Sequence, residues 1–256
     1  MSAHLYSSDV PPLALLAGGL ARRLGPFTTR LPKSLLPVAG EPFIAHQLRL
    51  LACQQVHDIV ICCGHFGDQI ESFVGNGSRF GCTVRYSSDG APLLGTGGAI
   101  RRALPLLGDR FWVMYGDSYL TAPFAPVLNA FQSSGKSALM TVHANANRWD
   151  TSNVLFSEGR VLCYDKSASR PGMKHIDYGL GLFSAELFRQ APHLAPFDLS
   201  DLQTRLVERG MMAGYEVFER FYEIGSISGL VEADTFLTAR SAALSSGTHS
   251  AHEVPA

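Results

Sequence analysis

The sequence predicts an α/β fold: a three-layer sandwich built on a mixed, mostly parallel sheet. Two observations carry that expectation. Through the first half, short apolar runs suited to buried strands alternate with amphipathic stretches of helical period. Two of those runs end in glycine, at Gly18-Gly19 and at Gly116, where a strand hands over to a loop. Strand–helix alternation implies parallel strands covered on both faces. Ligands of such sheets bind beyond the carboxyl ends of the strands.

The elements follow in order. Residues 13–17 read as a buried strand. A helix is expected over 42–55, with Ile44, Leu48 and Leu51 on one face and Pro42 suited to a first turn. Strands over 58–63, 82–86 and 111–115 alternate with helices over 68–74 and 98–107. After about Leu120 the rhythm changes. A helix over 124–133 and a strand over 138–143 precede a hairpin of 153–156 with 161–164, turned through Glu158-Gly159. A strand over 178–183, a helix over 200–209 and a last helix over 227–240 complete the pattern, with Ser226 as N-cap. Residues 1–241 are expected to form one domain, and the aperiodic stretch 242–256 a flexible tail. No internal repeat is visible.

Bulk properties narrow the function. Hydrophobic residues make up 46% and charged residues 17%, which excludes a disordered chain. A net charge of −1 gives no long-range attraction to nucleic acid or an anionic membrane, so neither is an expected partner. Any polyanion must be met by a local basic cluster. No apolar run reaches the roughly 18 residues of a bilayer span, and residues 1–10 lack a signal-peptide layout, so a cytoplasmic protein is expected. Five cysteines show no CxxC spacing and most sit in apolar runs, as reduced core thiols do. The nine histidines fall in no metal-ligand spacing.

The most informative segment is 16–33, where a buried strand delivers the chain to Gly18-Gly19 and a long loop follows with Arg22, Arg23, Arg30 and Lys33. No acidic residue lies between Asp9 and Glu41. Glycines let backbone N–H groups approach phosphate oxygens, and the cations neutralise them. A solvated basic surface loop is the alternative. Two other phosphate motifs fail on spacing. The P-loop pattern GxxxxGK[ST] does not occur, and Gly95-Thr96-Gly97-Gly98 is not GxGxxG.

Gly18, Gly19, Arg23, Leu24, Pro26, Thr28, Pro32 and Lys33 resemble the spaced signature of the sugar-1-phosphate nucleotidyltransferases. Ala21 departs from it, standing where that family usually has glycine. The resemblance covers about residues 12–240. It implies a Rossmann-like fold of the nucleotide-diphospho-sugar transferase type, with a nucleotide-binding half over about 12–120 and a sugar-binding half over 121–241. It also implies bound magnesium, a nucleoside triphosphate and a sugar 1-phosphate as substrates, and a monomer or small homo-oligomer.

Further pieces follow from the same resemblance. The segment 93–100, with Gly95 and Thr96, is similar to the family's base-binding turn. Tyr115-Gly116-Asp117 matches its Asn-Gly-Asp, with tyrosine for asparagine, and makes Asp117 a metal ligand. Magnesium takes one or two carboxylates completed by phosphate oxygens and water; an N-capping Asp is the alternative. Phe221–Ser226 is similar to the late Asp-x-Gly-Thr element, with Glu223 in place of the second aspartate. Asp165-Lys166 resembles the acidic-Lys pair whose lysine holds the sugar phosphate; an exposed hairpin lysine is the alternative. Asp177 and Gly179 fall on the Asn-x-Gly strand of the sugar pocket, where a carboxylate suits hydroxyl donors. Trp149 reads equally as a sugar-pocket rim or as packing. Arg23 and Lys33 become the catalytic cations. The short length and the Leu-Gly-Thr-Gly-Gly turn resemble the branch acting on heptose, mannose or N-acetylmuramic acid 1-phosphates. Guanylyl transfer is the leading expectation, uridylyl transfer the next, and a catalytically silent nucleotide-sugar-binding subunit a third.

Overall fold

The structure, a computed structural model, describes residues 10–19, 25, 30–90, 92–190 and 196–247. Arg22 and Arg23 of the basic loop lie outside the described residues, as does 248–256 of the expected tail. The strands are β1 (Leu13–Leu16), β2 (Pro37–Val38), β3 (Glu41–Pro42), β4 (Asp58–Cys63), β5 (Thr83–Ser88), β6 (Arg110–Tyr115), β7 (Ser118–Leu120), β8 (Ala138–Ala144), β9 (Val154–Ser157), β10 (Arg160–Tyr164), β11 (His175–Ser184), β12 (Met212–Val217) and β13 (Phe221–Glu223). The helices are α1 (Phe43–Cys53), α2 (Gly67–Val74), α3 (Gly95–Ala103), α4 (Phe124–Ser134), α5 (Glu186–Arg189), α6 (Leu199–Glu208) and α7 (Ile227–Gly247).

The main sheet runs β10-β9-β11-β6-β1-β4-β5, and β8 pairs with both β11 and β12. Strands β6, β1, β4 and β5 are mutually parallel. Strand β11 joins β6 antiparallel and turns the sheet mixed. All four residues of β1 are buried, as a central strand covered on both faces requires. Successive side chains of a strand point to opposite faces. Leu13 and Leu15 therefore pack with Ile44, Leu48, Ile70, Val127 and Phe131 of α1, α2 and α4. Ala14 and Leu16 pack with Ile100, Ala103, Phe188, Leu202 and Leu206 of α3, α5 and α6. These two layers around the sheet make the expected sandwich.

Helix α7 sits apart from both layers. It packs Ala233 and Leu237 against Val38, Phe43, Tyr119 and Ile224. Its first turn is capped as the sequence suggests, with the Gly229 N–H donating to Ser226 Oγ at 3.0 Å. The helix continues past residue 240 to Gly247, so 242–247 continues a helix that the sequence ends at 240. Ala242 and Ala243 favour helix without contributing an amphipathic period. Pro42 is the N-cap of α1 rather than part of its first turn, because it pairs with Pro37. Helix α3 starts at Gly95, three residues earlier than the pattern suggests, for a reason that lies in the site.

Candidate active site

The parallel strands deliver their carboxyl ends to one cavity of about 360 Å³. Leu16, Ala17, Gly18 and Gly19 leave β1 into it; Tyr115, Gly116 and Asp117 leave β6. The two strand ends lie close together, with the Gly116 N–H donating to the Leu16 carbonyl at 3.0 Å. A Cβ at Gly116 would stand 2.7 Å from that oxygen, so only glycine fits there.

Across this junction Lys33 Nζ donates to Asp117 Oδ2 at 2.9 Å. Lys33 reaches it from a short 3₁₀ turn, Lys33–Leu35, anchored by buried Leu35 and Leu36. The Lys33 side chain is 16% exposed and that of Asp117 34%, so the pair opens on the cavity while backed by protein. Its partners are 84 positions apart in the chain, so the fold makes the pair. Gln47, fully buried on α1, donates to the carbonyls of Tyr115 at 3.2 Å and Ser118 at 2.8 Å. It thus clamps both sides of the Gly116-Asp117 turn and fixes where the carboxylate points.

The same cavity contains Gly95, Thr96, Lys166 and two acidic residues, Asp89 and Asp198. Lys166 Nζ lies 5.3 Å from the centre of the Tyr115 ring, within cation–π range. Tyr115, two residues before Asp117, thus lines the same cavity as the Lys33–Asp117 pair and carries Lys166 on its ring. Its hydroxyl is buried with no hydrogen-bond partner among the described residues, as are Ser34 Oγ and Asp89 Oδ1.

Gly95 and Thr96 explain the early start of α3. The Gly97 and Gly98 N–H groups donate to the Phe197 carbonyl at 3.0 and 3.2 Å, and the Thr96 N–H to Asp198 Oδ1 at 3.3 Å. The N-terminus of α3 is thus capped by a segment 100 positions away. A Cβ at Gly95 would lie 2.6 Å from the Phe197 carbonyl, and one at Gly97 2.2 Å from its ring. The close approach these glycines allow is that of residues 197–198.

Three other candidates lie outside the cavity lining. Asp177 and Gly179 occupy an irregularity of β11, where the register to β8 shifts between Asp177 and Gly181. The Gly179 N–H donates to Asp177 Oδ1 at 3.0 Å, and Tyr164 and Gln203 approach Oδ2 at 3.5 and 3.4 Å. Burial pushes the Asp177 carboxyl above its ordinary pKa, against the pull of the Gly179 N–H and Lys166. Glu223 lies opposite Ser118 in the β7–β13 ladder, and the next residue, Ile224, donates its N–H to the Asp117 carbonyl at 2.9 Å. Its carboxylate, however, accepts from Ser226 Oγ at 2.7 Å and from the Gly225 N–H, tying it to the turn that opens α7.

Elsewhere the structure disposes of several sequence ambiguities. Trp149 stacks on the Arg220 guanidinium at 4.8 Å and packs near His143 and Phe221. All five cysteines are free thiols, and burial pushes Cys63 up to about 12. His143 and His175 bond to the Val217 carbonyl and to Glu216, and no group of three metal-ligating side chains converges among the described residues. No helix there is long and apolar enough to cross a membrane. Gln47, Asp89 and Asp198 are site residues that sequence reasoning missed. Asp89-Gly90 reads as a plain turn, and nothing local links Asp198 to Thr96.

Residues 14–240 match the model of the nucleotidyl transferase family. The chain belongs to that family. This nucleotidyltransferase is 30% identical over 225 residues to the N-acetylmuramate α-1-phosphate uridylyltransferase of Neisseria meningitidis, spanning 86% of the chain and 95% of the relative. It is 29% identical over 180 residues to the mannose-1-phosphate guanylyltransferase of Mycobacterium tuberculosis, covering 70% of the chain and 50% of that protein. A Bacillus anthracis structure, provisionally named a glucose-1-phosphate thymidylyltransferase and solved with a sucrose, superposes with a TM-score of 0.78 at 23% identity. It covers 89% of the chain and 95% of its own, and establishes the likeness of fold.

Proposed function

We propose that this nucleotidyltransferase joins a nucleoside triphosphate to a sugar 1-phosphate with magnesium, releasing pyrophosphate, and that it is a guanylyltransferase for a heptose- or mannose-type sugar. The observation that carries this reading is the Lys33–Asp117 pair at the junction of β1 and β6, in one cavity with Lys166. Two anions must meet there, and their repulsion in a partly enclosed site has to be offset by fixed charge.

An oxygen of the sugar phosphate attacks the α-phosphorus; a new O–P bond forms as the bond to the β-phosphate oxygen breaks. The attacking oxygen needs no general base, because the second ionisation of a phosphate monoester lies near pH ~6. The protein's task is to position and to neutralise. Lys33 faces the α-phosphate, Lys166 holds the sugar phosphate beside Tyr115, and Arg23 braces the triphosphate. Asp177 offers an acceptor to sugar hydroxyls, and Gly179 keeps β11 open beside Tyr115.

The donor set fits magnesium. One oxygen-ligand carboxylate at the rim of a phosphate cavity, completed by phosphate oxygens and water, is what that ion takes, with no all-protein cage needed. Asp117 would hold it directly. Glu223 would join after releasing its turn, or act through water. When bound, the ion neutralises phosphate charge.

A second reading, uridylyl transfer, is favoured by the Neisseria relative's name and 30% identity. The test is a pyrophosphate-release screen of GTP, UTP, dTTP and ATP against mannose, glucose and N-acetylmuramic acid 1-phosphates and a heptose 1-phosphate. Release is expected with GTP, dependent on magnesium and on a sugar phosphate. Nucleotide binding without release under any pairing would contradict the reading and favour a silent binding subunit.

A further inference from the structure

Glu223 is the proposed second carboxylate of the metal site, yet its side chain rests on the first turn of α7. Oε1 accepts from Ser226 Oγ at 2.7 Å, and Oε2 from the Gly225 N–H. The carboxylate lies against the bare Cα of Gly229, where a Cβ would collide with Oε1 and stand 2.6 Å from the Glu223 carbonyl. Ser226 Oγ in turn accepts the Gly229 N–H at 3.0 Å, so one hydroxyl caps α7 and holds the carboxylate. The first turn of α7 contains no acidic residue of its own. A helix N-terminus attracts negative charge, and here Glu223 supplies it.

The backbone of Glu223 belongs to the other side, beside Asp117. Glu223 stands opposite Ser118 in the β7–β13 ladder, and directly opposed residues share one face of an antiparallel pair. Ser118 Oγ donates to Asp117 Oδ1 at 3.4 Å. The Ile224 N–H donates to the Asp117 carbonyl at 2.9 Å, and the Ile224 side chain is fully buried, so β13 is fixed next to Asp117.

Resting on the transferase reading above, with Asp117 holding the metal, we infer that Glu223 is a metal-controlled switch. Its carboxylate is parked on the first turn of α7 when the site is empty, and side-chain rotation brings it to an ion at Asp117. Strand and helix stay in place. Ser226 is the positioning residue that holds the parked state. Filling the metal site then requires breaking the Ser226 and Gly225 hydrogen bonds, so these bonds set the metal concentration at which the site fills. Hydrogen bonds to an ionised group are the stronger kind, and losing one shifts that concentration by roughly tenfold. Linkage makes the effect reciprocal: a bound metal loosens the first turn of α7.

The experiment is Mn²⁺ titration of the full chain, followed by electron paramagnetic resonance, with saturating GTP or UTP and no sugar phosphate. Amide hydrogen exchange is read on the same samples. Ser226→Ala removes the hydroxyl and should bind Mn²⁺ about tenfold more tightly than the wild type, while Ser226→Thr keeps the hydroxyl and should match it. In a Glu223→Ala background, Ser226→Ala should leave Mn²⁺ affinity unchanged. In the wild type, metal should speed exchange over 225–230 while the rest of the fold, stabilised by its ligand, slows. Equal or weaker Mn²⁺ binding by Ser226→Ala, the same gain without Glu223 or with threonine, or slower exchange over 225–230 each overturns the switch. The exchange measurement needs no variant, so it stands even if Ser226→Ala, which also loses a helix cap, fails to fold. Pyrophosphate release with an unmoved Mn²⁺ affinity in Ser226→Ala would sink the switch alone. A tenfold gain in Mn²⁺ affinity with no release from any nucleotide would sink the transferase reading alone.

Discussion

Asp117→Asn is expected to lower kcat by roughly three orders of magnitude or more, with the fold intact. The substitution keeps the volume of the side chain and its two polar atoms. It removes the negative charge that would draw magnesium to the end of β6 and that now pairs with Lys33 at 2.9 Å. The loss falls on chemistry rather than stability because Asp117 is one-third exposed, and pairs of that exposure contribute about 0–1 kcal/mol. The turn itself is held by Gln47 through the Tyr115 and Ser118 carbonyls, which the substitution leaves in place. Steady-state turnover at saturating magnesium, with a thermal melt as control, checks the prediction. Full activity would remove Asp117 from the metal site.

Lys33→Ala is expected to cut kcat by roughly 10²- to 10³-fold while raising the nucleotide KM much less. A charge placed at the reacting phosphorus matters most when negative charge is moving there, so its loss appears in turnover more than in binding. The ground-state triphosphate keeps its other contacts, Arg23 among the proposed ones. Initial-rate kinetics separate the two constants. A variant with unchanged kcat and a raised KM would make Lys33 a binding residue only.

The sequence-level reading succeeds where local pattern and fold agree. The apolar runs of β1, β4 and β6 are buried on both faces, so composition alone identifies them. The hairpin of β9 and β10 was visible through Glu158-Gly159, both at positive φ. Strands β7, β13 and β12 were not visible. The first two have three residues each and exist through pairing with one another, and β12 carries Gly214 and Glu216 against its strand character. Within the site, Lys33, Asp117 and Lys166 could be named because motif spacing is local. The packing of Lys166 on the Tyr115 ring could not, nor could Gln47 or Asp198, whose partners lie 68 or more positions away. The glycines of 95–98 show the opposite case. Their spacing is plain in the sequence, yet the neighbour that requires glycine at 95 and 97 is Phe197.

The account turns on a single point in space where the Lys33 ammonium and the Asp117 carboxylate both address the α-phosphorus. A crystal structure with a non-hydrolysable GTP analogue and Mn²⁺, read by anomalous scattering, observes that point directly. The metal peak should lie within direct coordination distance of Asp117, with the α-phosphate against Lys33. A triphosphate seated away from both residues, with manganese on neither Asp117 nor a phosphate beside it, would contradict the account.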